Sequence, residues 1–350
     1  MYESNYICSM RYSSLHKGNH QELKAAIESS QKITIVVHQS PDGDAVGSAL
    51  GLRDLLLRKT KGEVQVILPD ADAPFLHWLP NHESVLVHDQ EEEKSTTFVQ
   101  SSDLIFTLDF NSVKRCGGVS PLLISTTAKV AMIDHHQMPE DYADFMLSDT
   151  SASSTCELIA DFQQLLYPEE SFTKAQATCL YVGLITDTGS FRYSSATGTT
   201  LRWAAHFLDI GVDKSFIYDQ VFDQSSLSRL RLMGHALSSN LKVLQGEKTS
   251  LTYLKAKELE RFHYSKGDTE GLVNYGLSIH GIQATAFVRE EEHAVKISFR
   301  SKGNVDVNLF ARNHFNGGGH KNAAGAKSEM GLEKTLELIQ KELPLWVEQY

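Results

Sequence analysis

Residues 33–48 read ITIVVHQSPDGDAVGS and contain a short apolar run, a polar loop and the start of a helix. The run ITIVV is rich in β-branched residues and has almost no polar interruption, which is typical of a strand covered on both faces. The helix that follows is predicted to continue to about Arg58. A strand, a loop and a helix in this order are the repeating unit of a parallel α/β sheet.

The same alternation continues to about residue 210. Further strands are predicted at EVQVIL (63–68), DLIFTLD (103–109) and KVAMID (129–134), and helices at 21–30, 154–167 and 173–186. The Ser/Thr tract SDTSASST (148–155) reads as a loop and helix cap, with Ser153 or Ser154 at the capping position. Strands that alternate with helices predict a doubly wound, mainly parallel sheet.

The pattern changes in the second half of the chain. Residues 197–240 read as helical and mostly polar, and hairpins are predicted around Gly246 and within 281–301, followed by helices at 305–315 and 331–342. We therefore predict an N-terminal α/β domain over residues 1–205, a helical linker over 206–240 and a smaller α+β domain over 241–350.

Composition excludes several classes of protein. The chain has 350 residues, and 33 Lys and Arg against 44 Asp and Glu give a net charge of −11, which argues against a protein that coats long nucleic acid. The four cysteines form no C-x-x-C motif, and no apolar run approaches the roughly 20 residues needed to span a membrane. The sequence predicts a cytoplasmic protein with no membrane partner.

Three of the predicted strands end in side chains that bind metals. These side chains, together with an aspartate that closes a later apolar stretch, are His38, Asp42, Asp44, Asp109, Asp134, His135, His136 and Asp187. A single Asp after a strand is usually a turn or helix cap, and Asp44 alone could cap the helix at Ala45. Because the carboxyl ends of parallel strands share one edge of a sheet, the joint pattern favours a shared site for Mn²⁺ or Mg²⁺.

A second signal lies in the C-terminal half. GGGH at 317–320 can present backbone N–H groups to an anion, and Arg300 follows a predicted strand, where a guanidinium can grip a phosphate. A surface role for Arg300 is an equal alternative. The chain has no P-loop, no G-x-S-x-G and no G-x-G-x-x-G motif, so neither serine catalysis nor dinucleotide oxidoreduction is supported.

These motifs resemble the DHH phosphoesterase superfamily, which takes its name from the triplet found here at residues 134–136. HQSPDGDAVGS, LDF, IDHH and GLITDTGSFRY are similar to its four motifs, and GGGHKNAAG is similar to the signature of the DHH-associated C-terminal domain. Within the superfamily, the chain most resembles the group of nanoRNases and pAp phosphatases. The resemblance covers nearly the whole chain and implies an active-site cleft between the two domains.

The resemblance also implies roles for individual residues. One Mn²⁺, with Mg²⁺ as an alternative, would be held by His38, Asp42 and Asp109, and a second by Asp44, Asp109, His135 and Asp187. Asp134 would orient the histidines, and His136 would lie beside the scissile phosphate. Substrate phosphate would be bound by Arg300, Gly318, Gly319 and His320.

The implied activity is Mn²⁺-dependent hydrolysis of short oligoribonucleotides such as pApA, or dephosphorylation of pAp to AMP, by a hydroxide that bridges two metals. Two alternatives stay open. One is an exopolyphosphatase or inorganic pyrophosphatase on the same metal site, and the other is a non-catalytic nucleotide-binding protein. A homodimer that pairs through residues 197–240 is also compatible with the sequence.

Overall fold

The structure, a computed structural model, describes residues 11–292 and 294–350. The chain separates into two units, with the division between Gln224 and Ser225. Each unit has its own six-stranded sheet and its own apolar core. The division falls inside the stretch 206–240, so its helices are shared between the two units.

Helices and strands alternate through most of the first unit. Its strands are β1 (Lys32–Val37), β2 (Glu63–Leu68), β3 (Leu86–Val87), β4 (Leu104–Leu108), β5 (Lys129–Asp134) and β6 (Phe145–Ser148). Its helices are α1 (His20–Ser29), α2 (Gly43–Leu57), α3 (Glu92–Gln100), α4 (Ser120–Ser125), α5 (Thr155–Leu166), α6 (Lys174–Asp187), α7 (Gly198–Ile210) and α8 (Lys214–Val221). Short 3₁₀ helices cover Pro74–Leu76, His82–Ser84 and Val113–Val119.

The strands of this unit form a parallel sheet in the order β3-β2-β1-β4-β5-β6. The order reverses between β1 and β4, so the connections that leave these two neighbours diverge. Ligands of doubly wound proteins bind in the crevice at such a switch point, outside the carboxyl ends of the strands. The predicted fold class is confirmed, and β1 and β4 are two of the strands that the sequence predicts to end in metal-binding residues.

Close packing of α2 and α6 brings the first turn of α2 to this edge. Gly47 of α2 lies so close to α6 that an added Cβ would be 2.5 Å from the carbonyl oxygen of Cys179. Every residue of α2 from Gly43 to Leu52 is buried. A helix that is apolar on all sides belongs in the interior, which is why α2 can place a charged residue deep beside the sheet.

The second unit is α+β, as the sequence predicts. Its strands are β7 (Leu241–Val243), β8 (Thr249–Leu254), β9 (Ala284–Glu290), β10 (Val295–Ser301), β11 (Gly318–His320) and β12 (Ala323–Ser328). Its helices are α9 (Leu227–Ser239), α10 (Ala256–Arg261), α11 (Leu272–Ser278), α12 (Val307–Phe315) and α13 (Leu332–Val347). The sheet order is β11-β12-β10-β9-β8-β7, and among the described strands of this second sheet only β8 and β9 pair in parallel. Both predicted hairpins, β7–β8 and β9–β10, are present.

Candidate metal centre

The structure gathers the predicted ligands at the switch point of the parallel sheet. His38 follows β1, Asp109 follows β4, and His135 follows β5, while the two helices α2 and α6 supply Asp44 and Asp187. Within the described part of the chain, ligand atoms of His38, Asp42 and Asp109 lie within 4.8 Å of one another, and so do those of Asp44, Asp109 and His135. Asp109 belongs to both groups.

Asp109 presents its two carboxylate oxygens to different histidines. Oδ2 lies 3.2 Å from Nε2 of His38, and Oδ1 lies 3.4 Å from Nε2 of His135. The residue is 2% exposed and has a φ of 63°, a left-handed conformation that is uncommon for residues other than glycine and that recurs at functional sites. This arrangement is what a carboxylate that bridges two cations requires.

The first group of donors surrounds His38. Its Nδ1 lies 2.9 Å from the carbonyl oxygen of Gln39, and because a carbonyl can only accept, Nδ1 carries the proton and Nε2 is left as the ligand atom. Oδ2 of Asp42 lies 4.0 Å from this Nε2. The other oxygen of Asp42 accepts hydrogen bonds from the backbone N–H groups of Asp44 and Ala45, so the helix cap is Asp42 and not Asp44.

The second group of donors surrounds His135. Its Nε2 lies 3.6 Å from Oδ2 of Asp44, 3.4 Å from Oδ1 of Asp109 and 3.5 Å from Oδ2 of Asp187. These separations are somewhat above the spacing of about 3 Å between adjacent ligands of an octahedral ion with bonds of about 2.1 Å. Nδ1 of His135 faces the carbonyl oxygen of Ala152 at 3.3 Å, which again leaves Nε2 for a metal.

The chemistry of these donors fits hard or borderline divalent cations. Carboxylate oxygens dominate both groups, one imidazole nitrogen joins each, and no thiolate takes part, which suits Mn²⁺ or Mg²⁺ better than thiol-seeking metals. Burial, followed by the negative charges of Asp109 and Asp187, raises the pKa of Asp44 well above its usual value. A cation beside Asp44 would favour the ionised form of this carboxyl.

Protonation of the remaining groups follows their contacts with Asp109. Burial opposes ionisation of Asp109, but hydrogen bonds from His135 and His38 outweigh it and hold the pKa of this carboxyl well below its usual value. Burial likewise disfavours protonation of His135, and the hydrogen bond to Asp109 and nearby carboxylates reverse the effect, so the pKa of His135 is raised. Asp109 is thus the permanent anion of the centre.

The N-terminus of α5 fixes two of the carboxylates. The backbone N–H groups of Thr155 and Cys156 donate to Oδ2 and Oδ1 of Asp44 at 2.6 and 2.8 Å. The hydroxyl of Thr155 donates to Oδ1 of Asp109 at 2.9 Å. The sequence predicts only a loop and a helix cap for this tract, and Ser154 does cap the helix. The signal that was missed is a Ser/Thr run that leads from a sheet edge into a helix.

A third contact sets His136 apart from the other two histidines. Its Nδ1 lies 2.7 Å from Oδ1 of Asp134, a residue with no exposed surface. Burial raises the pKa of Asp134 to about 6. Burial and the positive charge of Arg115 lower the pKa of His136 well below its usual value, so its ring is neutral at physiological pH. Asp134 contacts His136, whereas His135 is oriented by a backbone carbonyl.

The predicted phosphate-binding residues lie together in the second unit. Arg300 of β10 and His320 of β11 are both in register with Ala323 of β12, so their side chains point to the same face of the sheet. The small Ala323 lies between them, and the backbones of β10 and β11 are about 10 Å apart, twice the spacing of neighbouring strands. GGGH is thus mostly a strand and not a loop, since Gly318 and Gly319 belong to β11.

The two glycines of β11 differ in how much space surrounds them. Gly319 has a φ of 145°, and an added Cβ would collide with the backbone of Ala323, so only glycine fits. An added Cβ at Gly318 would lie 3.7 Å from a guanidinium nitrogen of Arg312, which makes ordinary contact. Arg312 of α12 is not among the residues that the sequence predicts to bind phosphate. It lies four residues after Asn308, to which its Nε donates, and this helical spacing does not indicate that its guanidinium lies near Gly318.

Comparison with known proteins agrees with this geometry. The pattern of the DHH family N-terminal domain matches residues 32–184, and that of the DHHA1 domain matches residues 249–349. Two curated relatives are more than 30% identical over at least 84% of the chain. The chain belongs to the DHH family. Its members are metal-dependent phosphoesterases, and the chain is accordingly a hydrolase that acts on phosphoester bonds.

Both relatives carry the name bifunctional oligoribonuclease and PAP phosphatase NrnA. The protein from Bacillus subtilis is 31% identical, with 84% of this chain and 88% of its own covered, and that from Thermus thermophilus is 32% identical, with 89% and 90% covered. A crystal structure of an exopolyphosphatase-related protein from Bacteroides fragilis is 37% identical, with a TM-score of 0.87 and 93% of this chain and 97% of that chain covered. None of the helices in the described residues has the length and apolar character to traverse a bilayer.

Proposed function

We propose that the protein is a Mn²⁺-dependent phosphoesterase that hydrolyses short oligoribonucleotides such as pApA to mononucleotides and dephosphorylates pAp to AMP. The observation that carries the proposal is the double contact of Asp109, whose two oxygens face two separate groups of metal donors. The proposal of substrate is supported by the two curated relatives, which bear both activities in their name and match most of the chain. Mg²⁺ is the alternative metal.

The ligands divide between two cations. We assign His38, Asp42 and Asp109 to one, and Asp44, Asp109, His135 and Asp187 to the other. Two such cations, when bound, lower the pKa of a water and offset negative charge on a phosphoryl group. The chain supplies a buried, rigid frame for them, because Thr155 and Cys156 hold Asp44 and two backbone carbonyls hold the histidines.

His136 is the residue that we assign to the scissile phosphate. The contact between its Nδ1 and Asp134 fixes the orientation of the ring. A carboxylate accepts from Nδ1–H, so Nε2 of the neutral ring is the acceptor atom, and once it takes up the proton that the attacking water loses, the ring can donate to a phosphoryl oxygen. Asp134 stabilises this protonated form as charge develops on the phosphate.

Arg300 and His320 are assigned to a second phosphate of the substrate. Arg300 carries five donors in a planar fork that matches a phosphate, and His320 adds one more on the same face of the sheet. Both side chains are half-buried, so they are accessible to a ligand. A short substrate with a terminal phosphate agrees with a net charge of −11, which disfavours long nucleic acid.

The proposal is tested with Mn²⁺ and three substrates in parallel, namely pApA, pAp and polyphosphate. We expect AMP from pApA and pAp, and loss of both products in Asp109→Asn, which keeps the size of the side chain but not its charge. Asp209→Asn changes an exposed aspartate of α7 and is the matched control. Phosphate from polyphosphate alone would refute the substrate assignment, and the absence of all products in a protein that binds Mn²⁺ would refute catalysis.

An exopolyphosphatase is the second candidate. It is favoured by the Bacteroides fragilis structure, which is 37% identical and described as exopolyphosphatase-related. The same assay separates the two candidates, because polyphosphate yields inorganic phosphate and pApA yields AMP. Faster turnover of polyphosphate than of pApA and pAp would support this second activity and leave the assignment of the metal ligands unchanged.

A further inference from the structure

A separate group of metal-binding side chains lies on the segment that follows β2. Nε2 of His82 lies 2.8 Å from Oδ2 of Asp72, and Nε2 of His77 lies 3.4 Å from Oδ1 of the same carboxylate. The two imidazole rings are in contact and tilted against each other, with centroids 4.7 Å apart and an angle of 35° between their planes. All three donor atoms lie within 4.8 Å of one another, and none of them belongs to the centre at the switch point.

Hydrogen bonding explains the contact of Asp72 with His82 but not its contact with His77. The carboxylate of Asp72 is 2% exposed and needs a partner, which His82 provides. His77 is 52% exposed and has no need of a buried acceptor, yet its Nε2 points at the other oxygen of Asp72. If both rings were protonated they would repel each other at this distance. A cation between the two Nε2 atoms and the carboxylate accounts for all three orientations.

We propose that Asp72, His77 and His82 form a further divalent-cation site that prefers Zn²⁺ to Mg²⁺. Two imidazole nitrogens and one carboxylate oxygen are donors for borderline metals, and sites with three protein ligands leave a fourth position for water. Bonds of about 2.0–2.1 Å in a tetrahedron place neighbouring ligands about 3.3 Å apart, close to the separation between His77 and Asp72. The exposure of His77 gives the ion a path from solvent.

The backbone holds these ligands in place before any ion binds. Buried Leu76, which precedes His77, and buried Leu79, which lies between the two histidines, anchor this part of the chain. Asn81, next to His82, adopts a left-handed conformation with a φ of 64°, which turns the chain back towards Asp72. A site whose donors are already positioned loses little conformational entropy on binding.

The site is connected to the loop that carries two ligands of the main centre. The backbone N–H of Ser40 donates to Oδ1 of Asp70 at 2.6 Å, and Asp70 is two residues from Asp72. Ser40 itself lies between His38 and Asp42 in the chain. A cation bound at Asp72 would restrain the segment 70–82 beside that loop, so we assign the site a structural role next to the main centre.

The test counts bound zinc. The full chain, a His77→Gln/His82→Gln double variant and a His280→Gln control are dialysed against the same buffered Zn²⁺, and zinc per chain is measured by mass spectrometry. His280 is exposed and lies in the second unit. We expect the double variant to bind one equivalent of Zn²⁺ fewer than the wild type and the control, with its Mn²⁺ binding unchanged.

An equal number of zinc ions in all three proteins would overturn the proposal. Because His82 is mostly buried, the single variant His77→Gln provides a second measurement in a protein whose core is untouched. We expect His77→Gln to bind Zn²⁺ at this site more weakly than the wild type does, so that added Zn²⁺ raises its Tm by less. A rise in Tm equal to that of the wild type would also overturn the proposal.

Discussion

Thr155→Val tests whether the N-terminus of α5 prepares the metal centre. The hydroxyl of Thr155 is buried and donates to Oδ1 of Asp109 at 2.9 Å. Valine replaces this hydroxyl by a methyl group of similar size and leaves the backbone N–H that donates to Asp44. The change therefore removes one hydrogen bond to a buried carboxylate and little else.

The expected magnitude follows from that single contact. A hydrogen bond to a charged group contributes about 1.5–3 kcal/mol, which corresponds to roughly 10- to 150-fold in an equilibrium constant. Loss of a residue that supports a metal ligand lowers metal affinity by about 10- to 100-fold. We therefore expect Thr155→Val to bind Mn²⁺ about 10- to 100-fold more weakly.

Isothermal titration with Mn²⁺ measures this effect directly. The matched control is Thr155→Ser, which keeps the hydroxyl and loses only a methyl group, and should bind Mn²⁺ within a few-fold of the wild type. The free energy of unfolding of each protein, measured in the absence of metal, shows that the fold is intact. If Thr155→Val and Thr155→Ser bind Mn²⁺ equally well, the hydroxyl does not position Asp109 and the reasoning is refuted.

Three further predictions concern packing, protonation and substrate binding. Gly183→Ala should destabilise the fold by about 1–3 kcal/mol in thermal unfolding, because its Cβ would lie 2.6 Å from Oδ1 of Asp44; Gly234→Ala, which meets nothing within 4 Å, is the control and should not destabilise. Burial raises the pKa of Asp161 to about 7, so the stability from its bound proton is full below about pH 4 and is lost as the pH rises through about 7. Asp161→Asn should flatten that loss in urea unfolding, and a slope equal to that of the wild type would contradict it. Arg300→Lys should raise KM for pApA more than it lowers kcat in steady-state kinetics, since lysine keeps the charge without the fork; an unchanged KM would contradict the assignment.

Much of the first unit follows from local patterns in the sequence. The runs at β1, β4 and β5 are buried on both faces over almost their whole length, and a run of this kind is typical of a covered parallel sheet, while β2 is buried on both faces only in its second half. The short strands β3 and β6, of two and four residues, were not predicted, because so few residues give no periodicity. Their pairing is decided by neighbours that are distant in the sequence.

The residues of the candidate metal centre could also be predicted as a set. The centre recruits its side chains from the ends of strands, and a sequence shows where an apolar run ends and which residue follows it. Asp42 and Asp44 show the limit of this reasoning. Both lie at the start of α2, and only the structure shows that Asp42 caps the helix while Asp44 is buried against α5.

The sequence by itself determined the fold class, the order of elements and the residue types that gather at one edge of the sheet, because these depend on local hydrophobic periodicity and on where each strand stops. Only the tertiary structure decided how each ligand is held. Thr155 lies 46 residues from Asp109 in the chain, and Asp44 lies 111 residues from Thr155. Hydrogen bonds between segments so far apart leave no periodic pattern in the sequence, because they depend on the packing of α2, α5 and α6 against one another. The same holds for Asp72, His77 and His82, which converge only after the chain has turned twice.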